Sequence, residues 1–124
     1  MTNAINWFEI PVNNYERAKK FYETILDSTI TDHPMPMPGN YGVFSYNAES
    51  NCVGGAIIKA EDYKPSTEGS LVYLNGSDDL SAALAKIEPA GGKIIMPKTN
   101  IEENGFIAHF LDTEGNKVAL HSME

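Results

Sequence analysis

Three side chains in this chain of 124 residues could do chemistry together: the carboxylate of Glu9 in "NWFEIPV" and the imidazoles of His109 and His121 in "IAHFLDTEGNKVALHS". A carboxylate beside an imidazole orients the ring and raises its basicity, giving a general base near neutral pH. Two imidazoles and one carboxylate turned toward one point would instead form the facial triad that suits iron and similar metals. The third use is not reactive: Glu9, neutralised by a histidine or tyrosine, would shape a polar patch in a binding cavity. The sequence has no Ser/His/Asp order, no glycine loop of the phosphate-cradling kind and no Cys/His zinc spacing. His33, in "DHPMPMPGN", reads as solvated, in a loop that could act as a lid. The single Cys52 cannot form an internal disulfide and reads as a buried, inert thiol.

These groups must be held by strands. Side chains alternate along a strand, so Trp7 and Glu9 share a face, and so do Ala119 and His121. The turn Asp112-Thr113-Glu114-Gly115-Asn116 decides where His109 goes. A three-residue loop over Thr113 to Gly115 pairs Asp112 with Asn116 and sets His109 opposite Ala119, whereas a four-residue loop turns it the other way. "INWFEIPV" alternates as a strand should, and Asn13-Asn14 can cap the helix that follows, in which Tyr15, Ala18, Phe21, Tyr22, Ile25 and Leu26 fall on one face. Strands are expected at Ser28 to Thr31, Gly42 to Tyr46 and Gly54 to Lys59, with the Gly54-Gly55 pair serving close packing. Phe44 reads as core, and Tyr41 and Tyr46 receive no role.

The order then repeats after a period of roughly 60 residues. "SLVYLN" reads as a strand, and Asp78 or Asp79 can cap a helix over Leu80 to Glu88 that Pro89 and Gly91-Gly92 stop. Strands follow at Lys93 to Met96, Gly105 to Leu111 and Lys117 to Ser122. The chain thus reads as one α+β domain, 1–124, of two tandem βαβββ modules, residues 1–60 and 70–124. Two such units side by side can curve into a mixed-sheet cup with the helices on its outer face, and a pocket where they meet. A net charge of −8, from 17 acids against 9 Lys and Arg, opposes contact with nucleic acid or anionic lipid. The basic cluster Arg17, Lys19, Lys20 lies among Glu16 and Glu23 and reads as a solvated helix face. No apolar run approaches the roughly 20 residues that span a bilayer. The start lacks a secretory pattern, so a cytoplasmic location is expected.

This order, carried by "IPVNNYERAKKFYETIL" and "AGGKIIMPKTNIEENGFIAHFLDTEGNKVALHS", resembles the vicinal oxygen chelate superfamily: glyoxalase I, bleomycin and fosfomycin resistance proteins and extradiol dioxygenases. The opening strand and helix resemble the family's first elements, and "DTEGN" resembles its hairpin before the last strand, with Thr113 where proline is usual. The resemblance implies a divalent metal held by a His or Glu on the first strand of each half and a Glu on the last. Here those positions fall at Trp7, at or near Val72, and at Ala119. Indole, isopropyl and methyl groups offer a cation no lone pair. The resemblance also favours the inward setting of His109, because the matching residue contacts ligand in fosfomycin resistance proteins, so that Trp7, Glu9, His109 and His121 converge.

The resulting expectation is a small-molecule binding protein of the glyoxalase/bleomycin resistance type, a homodimer without the family's metal or another cofactor. It would hold a small hydrophobic or aromatic molecule against Trp7, Glu9, Val72, His109, Ala119 and His121. The alternative is a lyase or isomerase, such as a relative of lactoylglutathione lyase, using Glu9 and His109 as acid and base or a displaced metal site. A third option is an accessory module whose cup is filled by its own side chains.

Overall fold

The computed structural model describes residues 3–50 and 52–124. Its first module runs β1 (Trp7–Pro11), α1 (Tyr15–Leu26), β2 (Ile30–His33), β3 (Asn40–Phe44) and β4 (Gly54–Lys59). Its second runs β5 (Tyr73–Asn75), α2 (Ser81–Ile87), β6 (Lys93–Asn100), β7 (Phe106–Leu111) and β8 (Lys117–Ser122). Each module carries its own four-stranded mixed sheet, in the orders β1-β4-β3-β2 and β5-β8-β7-β6. The outer strand of the βαβ unit lies parallel to the last strand in both cases. The tandem α+β architecture is as the sequence implies, with the two sheets hydrogen-bonded separately.

Local chemistry explains the start and end of α1. Asn14 sits in extended backbone and its side chain accepts the Arg17 N–H at 3.0 Å, filling one of the donors a helix start leaves open. At the other end Asp27 adopts a left-handed conformation (φ 49°) and its N–H returns to the Glu23 carbonyl. The face between them buries Tyr15, Ala18, Phe21, Tyr22 and Ile25, while Leu26 stays half-buried. α2 begins differently from the expectation. Neither Asp78 nor Asp79 is its cap residue; Leu80 is, fully buried, with its N–H donated to Ser122 Oγ at 2.9 Å. Asp79 still accepts the Ser81 N–H at 2.9 Å.

Both helices share one core. Phe21 of α1 packs against Phe110 of β7, and Tyr22 meets Phe44 of β3 edge to face, so α1 is in contact with both modules. Ile10, Val12, Ile57, Leu74, Val118 and Leu120 complete that interior. Gly55 leaves room for a ring: a methyl group there would lie 2.2 Å from Phe8. β6 runs four residues beyond the expected Met96. It continues through Pro97 because it is an edge strand, where a missing N–H costs no ladder bond, and its pairing slips on both sides of Met96.

The hairpin between β7 and β8 bolts the modules together. Asp112, Glu114 and Asn116 are all buried polar residues, and each is satisfied. Asp112 accepts the N–H groups of Glu114 and Asn116 at 2.8 and 2.9 Å, and the Tyr22 hydroxyl at 2.6 Å. Asn116 Nδ2 donates to the Pro11 carbonyl at 2.7 Å, while its Oδ1 accepts from Ser66 N–H. Glu114 reaches the start of α1, accepting from Asn13 and Asn14 N–H at 2.9 and 2.7 Å and from Arg17 Nε at 2.7 Å. A carboxylate at a helix N-terminus also meets the positive end of the helix dipole. Arg17 is therefore not part of a free solvated face, and Lys19 pairs with Asp32 of β2 rather than with Glu16 or Glu23.

Candidate ligand-binding site

Register fixes which side of each sheet a residue faces. In the first sheet Phe8 and Ile10 turn toward the helices, leaving Trp7 and Glu9 on the opposite face. The strand order β1-β4-β3 brings Tyr41 to the same face, two strands from Glu9. The Trp7 indole N–H donates to Tyr41 Oη at 2.9 Å, and Tyr41 in turn donates to Glu9 Oε2 at 2.7 Å. Burial, followed by the bond to Glu9, raises the Tyr41 phenol above its ordinary value, so it stays protonated and keeps donating. Tyr46 stands edge to face with Trp7 at 5.6 Å between ring centres. It occupies the space left by Gly54, the residue paired with Trp7, where a methyl group would lie 2.6 Å from the Tyr46 ring.

A cavity of about 800 Å³ adjoins this group, between the β1 side of one module and the segment leading through β5 of the other. Phe8, Leu26, Phe44 and Val72 supply apolar walls, and Glu9 and Tyr46 lie on its lining. Residue types and volume match a small-molecule site, mostly apolar with a few polar groups to orient a ligand.

The second sheet holds a separate polar group. Asp112 N–H donates to the Asn116 carbonyl at 3.0 Å, as the three-residue loop requires, and His109 pairs with Ala119. Ala108, Phe110, Val118 and Leu120 belong to the core, so His109, Ala119 and His121 face the other way, with Tyr73 in register beside Ala119. The Tyr73 hydroxyl and His109 Nε2 share a hydrogen bond of 3.1 Å. Burial, then the nearby Lys117 charge, lowers the His109 pKa below its ordinary value, so the ring is neutral at neutral pH. His121 Nε2 is 2.7 Å from the Asn104 carbonyl, an acceptor only, so that nitrogen carries the proton.

The structure thus corrects the expected convergence of four residues. Trp7 and Glu9 meet through Tyr41, His109 engages Tyr73, and His121 engages Asn104; no hydrogen bond or ion pair joins Glu9 to either histidine among the described residues. Val72 also moves. It precedes β5 and packs against the core while lining the cavity, and Tyr73 is the residue that shares Ala119's face. Cys52 is exposed, not buried. His33 ends β2 opposite Tyr41 instead of lying in the loop.

The positions that the fold family uses for a divalent metal do not present a matching donor set. The Trp7 nitrogen is a donor already spent on Tyr41, Ala119 is a fully buried methyl, and Val72 is aliphatic. No three His, Cys, Asp or Glu side chains are grouped to hold an ion among the described residues. Tyr41, Tyr46 and Tyr73 join these groups without having been expected there. Tyr73 was within reach, since alternation alone puts it on Ala119's face once β5 pairs with β8. Tyr41 required the non-sequential strand order, and Tyr46 required the empty space above Gly54.

With this fold and site in view, comparison with known proteins gives the class. Residues 4–120 match the model of the Glyoxalase/Bleomycin resistance protein/Dioxygenase superfamily, and the chain belongs to that family. It is similar to the CFP32 proteins of Mycobacterium bovis and Mycobacterium tuberculosis, which carry a provisional glyoxylase name. Identity to each is 30% over 118 residues, covering 93% of this chain but 44% of theirs, so the chain spans under half the length of those relatives. Among solved structures, a glyoxalase/bleomycin resistance protein from Streptomyces sp. CB03234 is 26% identical, with a TM-score of 0.65 over 95% of this chain and 100% of that one. TnmS3, an antibiotic binding protein from the same organism, gives 22% identity and a TM-score of 0.65 over 100% and 99%. A family member from Albidiferax ferrireducens T118 gives 17% and 0.71 over 98% and 100%. No helix among the described residues is long and apolar enough to cross a membrane.

Proposed function

We propose that this protein binds and sequesters a small apolar or aromatic molecule, in the manner its likeness to an antibiotic binding protein suggests. The observation that carries the reading is the cavity of about 800 Å³ walled by Phe8, Leu26, Phe44 and Val72 with Glu9 at its lining. Binding would not use a divalent metal at the family's positions, a reading supported by the donor set there. Metal analysis of purified protein tests that part: a stoichiometric divalent ion would overturn it. The same reading includes a homodimer in the cytoplasm. Supporting it are β1 and β5 as sheet edges, the exposed Tyr73 and Ile95, and an unpaired cysteine. Size-exclusion chromatography decides between one copy and two.

The cavity is tested with N-phenyl-1-naphthylamine, a neutral dye whose emission rises in apolar surroundings. Saturable enhancement is expected, and Val72→Trp, which fills the space, should weaken it by about tenfold. Enhancement that never saturates, or that Val72→Trp leaves intact, would refute the reading. A second reading, a glyoxalase-like lyase or isomerase, draws on one observation: the neutral His109 imidazole bonded to the Tyr73 hydroxyl. Its test is turnover that disappears in His109→Ala and survives in Glu9→Gln.

A further inference from the structure

We infer that the corner formed by Trp7, Tyr41, Tyr46 and Glu9 is a subsite for an organic ammonium group, so that the ligand of the cavity is an apolar body carrying a positive charge. This rests on the cavity reading and names the chemistry of its ligand. Three electron-rich rings and a carboxylate meet on one face. Trp7 and Tyr46 stand at 75° to each other with ring centres 5.6 Å apart, so each presents a face beside the other's edge. Trp7 also touches Tyr41, which holds Glu9.

Each wall attracts a cation for its own reason. The face of an aromatic ring is negative, and an ammonium within about 6 Å of its centre is drawn to it, most strongly by indole. Glu9 adds a full charge. It is exposed, engages Tyr41 through Oε2 alone and has no ion-pair partner among the described residues. Glu114, by contrast, is buried and saturated with donors, so its charge is spent within the fold while that of Glu9 is not. Tyr46 is 40% exposed despite its size, although Gly54 has given up a side chain to seat it. Arg17, Lys19 and Lys98 are engaged by acids elsewhere. The net charge of −8 adds a long-range pull on cations at low salt. Glu9 and Tyr46 belong to both the cavity lining and the corner, whereas Trp7 and Tyr41 belong to the corner alone, so the corner borders the cavity.

Trp7 is the single tryptophan of the sequence, so its emission reports on this corner. The probes are choline and 3,3-dimethylbutan-1-ol, which replaces the quaternary nitrogen by carbon and keeps the shape. Choline should change Trp7 emission saturably, and the neutral alcohol should bind at least about tenfold more weakly. Glu9→Gln retains an oxygen for the Tyr41 hydroxyl and removes only the charge; a similar loss of about tenfold is expected. Tyr46→Leu should weaken choline severalfold while leaving the far-ultraviolet spectrum unchanged. Equal binding of choline and the alcohol, or choline affinity unchanged in Glu9→Gln, would overturn the subsite. No saturable choline response alongside normal naphthylamine binding would overturn it too, with the cavity reading intact. Choline binding without dye binding would keep the subsite and sink the cavity.

Discussion

Replacing Glu114 by Gln should cost more stability than its place in a surface-facing hairpin suggests. Its carboxylate accepts five hydrogen bonds, from Asn13 and Asn14 N–H, Arg17 Nε and Nη2, and Thr113 Oγ1. The side chain is fully shielded on the Glu114 side, while Arg17 is 51% exposed. Gln can keep its oxygen at the Oε1 position, which serves Asn13 N–H, Asn14 N–H and Arg17 Nη2, but it turns an amide N–H₂ toward Arg17 Nε and Thr113 Oγ1, so Arg17 Nε–H loses its acceptor and the remaining bonds lose the charge that strengthens them. A hydrogen bond to a charged group contributes about 1.5–3 kcal/mol, and a stranded buried donor costs about 1–3 kcal/mol. Arg17 can turn to water, which limits the loss, so about 2–3 kcal/mol is expected overall. For a domain of this size that lowers Tm by roughly 8–15 °C. Urea unfolding followed by circular dichroism gives the free energy directly, with an unchanged m-value showing that only stability moved. The same contacts give the hairpin a pH signature. Burial raises the Glu114 pKa, but the donors from Arg17, Asn14, Thr113 and Asn13 outweigh it and the folded value is lowered. The unfolded state then binds the proton more readily, so this stabilisation is present above about pH 4.3 and is lost as pH falls through the lower folded value. Glu114→Gln should flatten that part of the acid profile. A loss below about 0.5 kcal/mol, or an unchanged acid profile, would refute the account of the hairpin as a bolt.

Two further outcomes check other parts of the structure. Gly55→Ala drives a methyl group into the Phe8 ring and should cost about 1–3 kcal/mol by overpacking, whereas Gly69→Ala, with open space around it, should stay within about 0.5 kcal/mol; equal effects in urea unfolding would contradict the packing at Phe8. For His109, whose folded pKa is lowered by burial and Lys117, the unfolded state takes up the proton first, so stability falls as pH drops from about 6.5 through the folded value. An NMR titration of its ring protons should give a midpoint below that of a free imidazole, and a midpoint above it would contradict the environment described.

How much of this could be read from the chain depends on range. β4 and β8 match their expected bounds because each is an apolar run closed by clear turn residues, and α1 is legible from its buried stripe and Asn14. β6 is under-read because Pro97 argues against a strand until one knows that the strand is at an edge. The shared face of Trp7 and Glu9 follows from alternation, whereas the pairing of His109 with Ala119 depends on a loop length that the residues leave open at three or four and that only the family resemblance favours. Partners follow from neither. Tyr41 finds Glu9 only through a strand inserted from later in the sequence, and the Tyr73 bond to His109 likewise depends on β5 and β7 flanking β8. Spacing shows Asp112-Thr113-Glu114-Gly115-Asn116 as a turn, but its contacts with residues 11 to 22 have no local signature.

Those contacts impose a schedule on folding. The entrance to the first helix is completed by a side chain about a hundred positions downstream, and the Pro11 carbonyl waits for an amide equally far along. A nascent chain cut short before Phe110 would carry a helix with unquenched amides and an uncovered aromatic cluster around Phe21 and Tyr22, a state prone to clumping. The duplicated halves are therefore interdependent, and splitting the gene between them should give two fragments that acquire structure only when mixed.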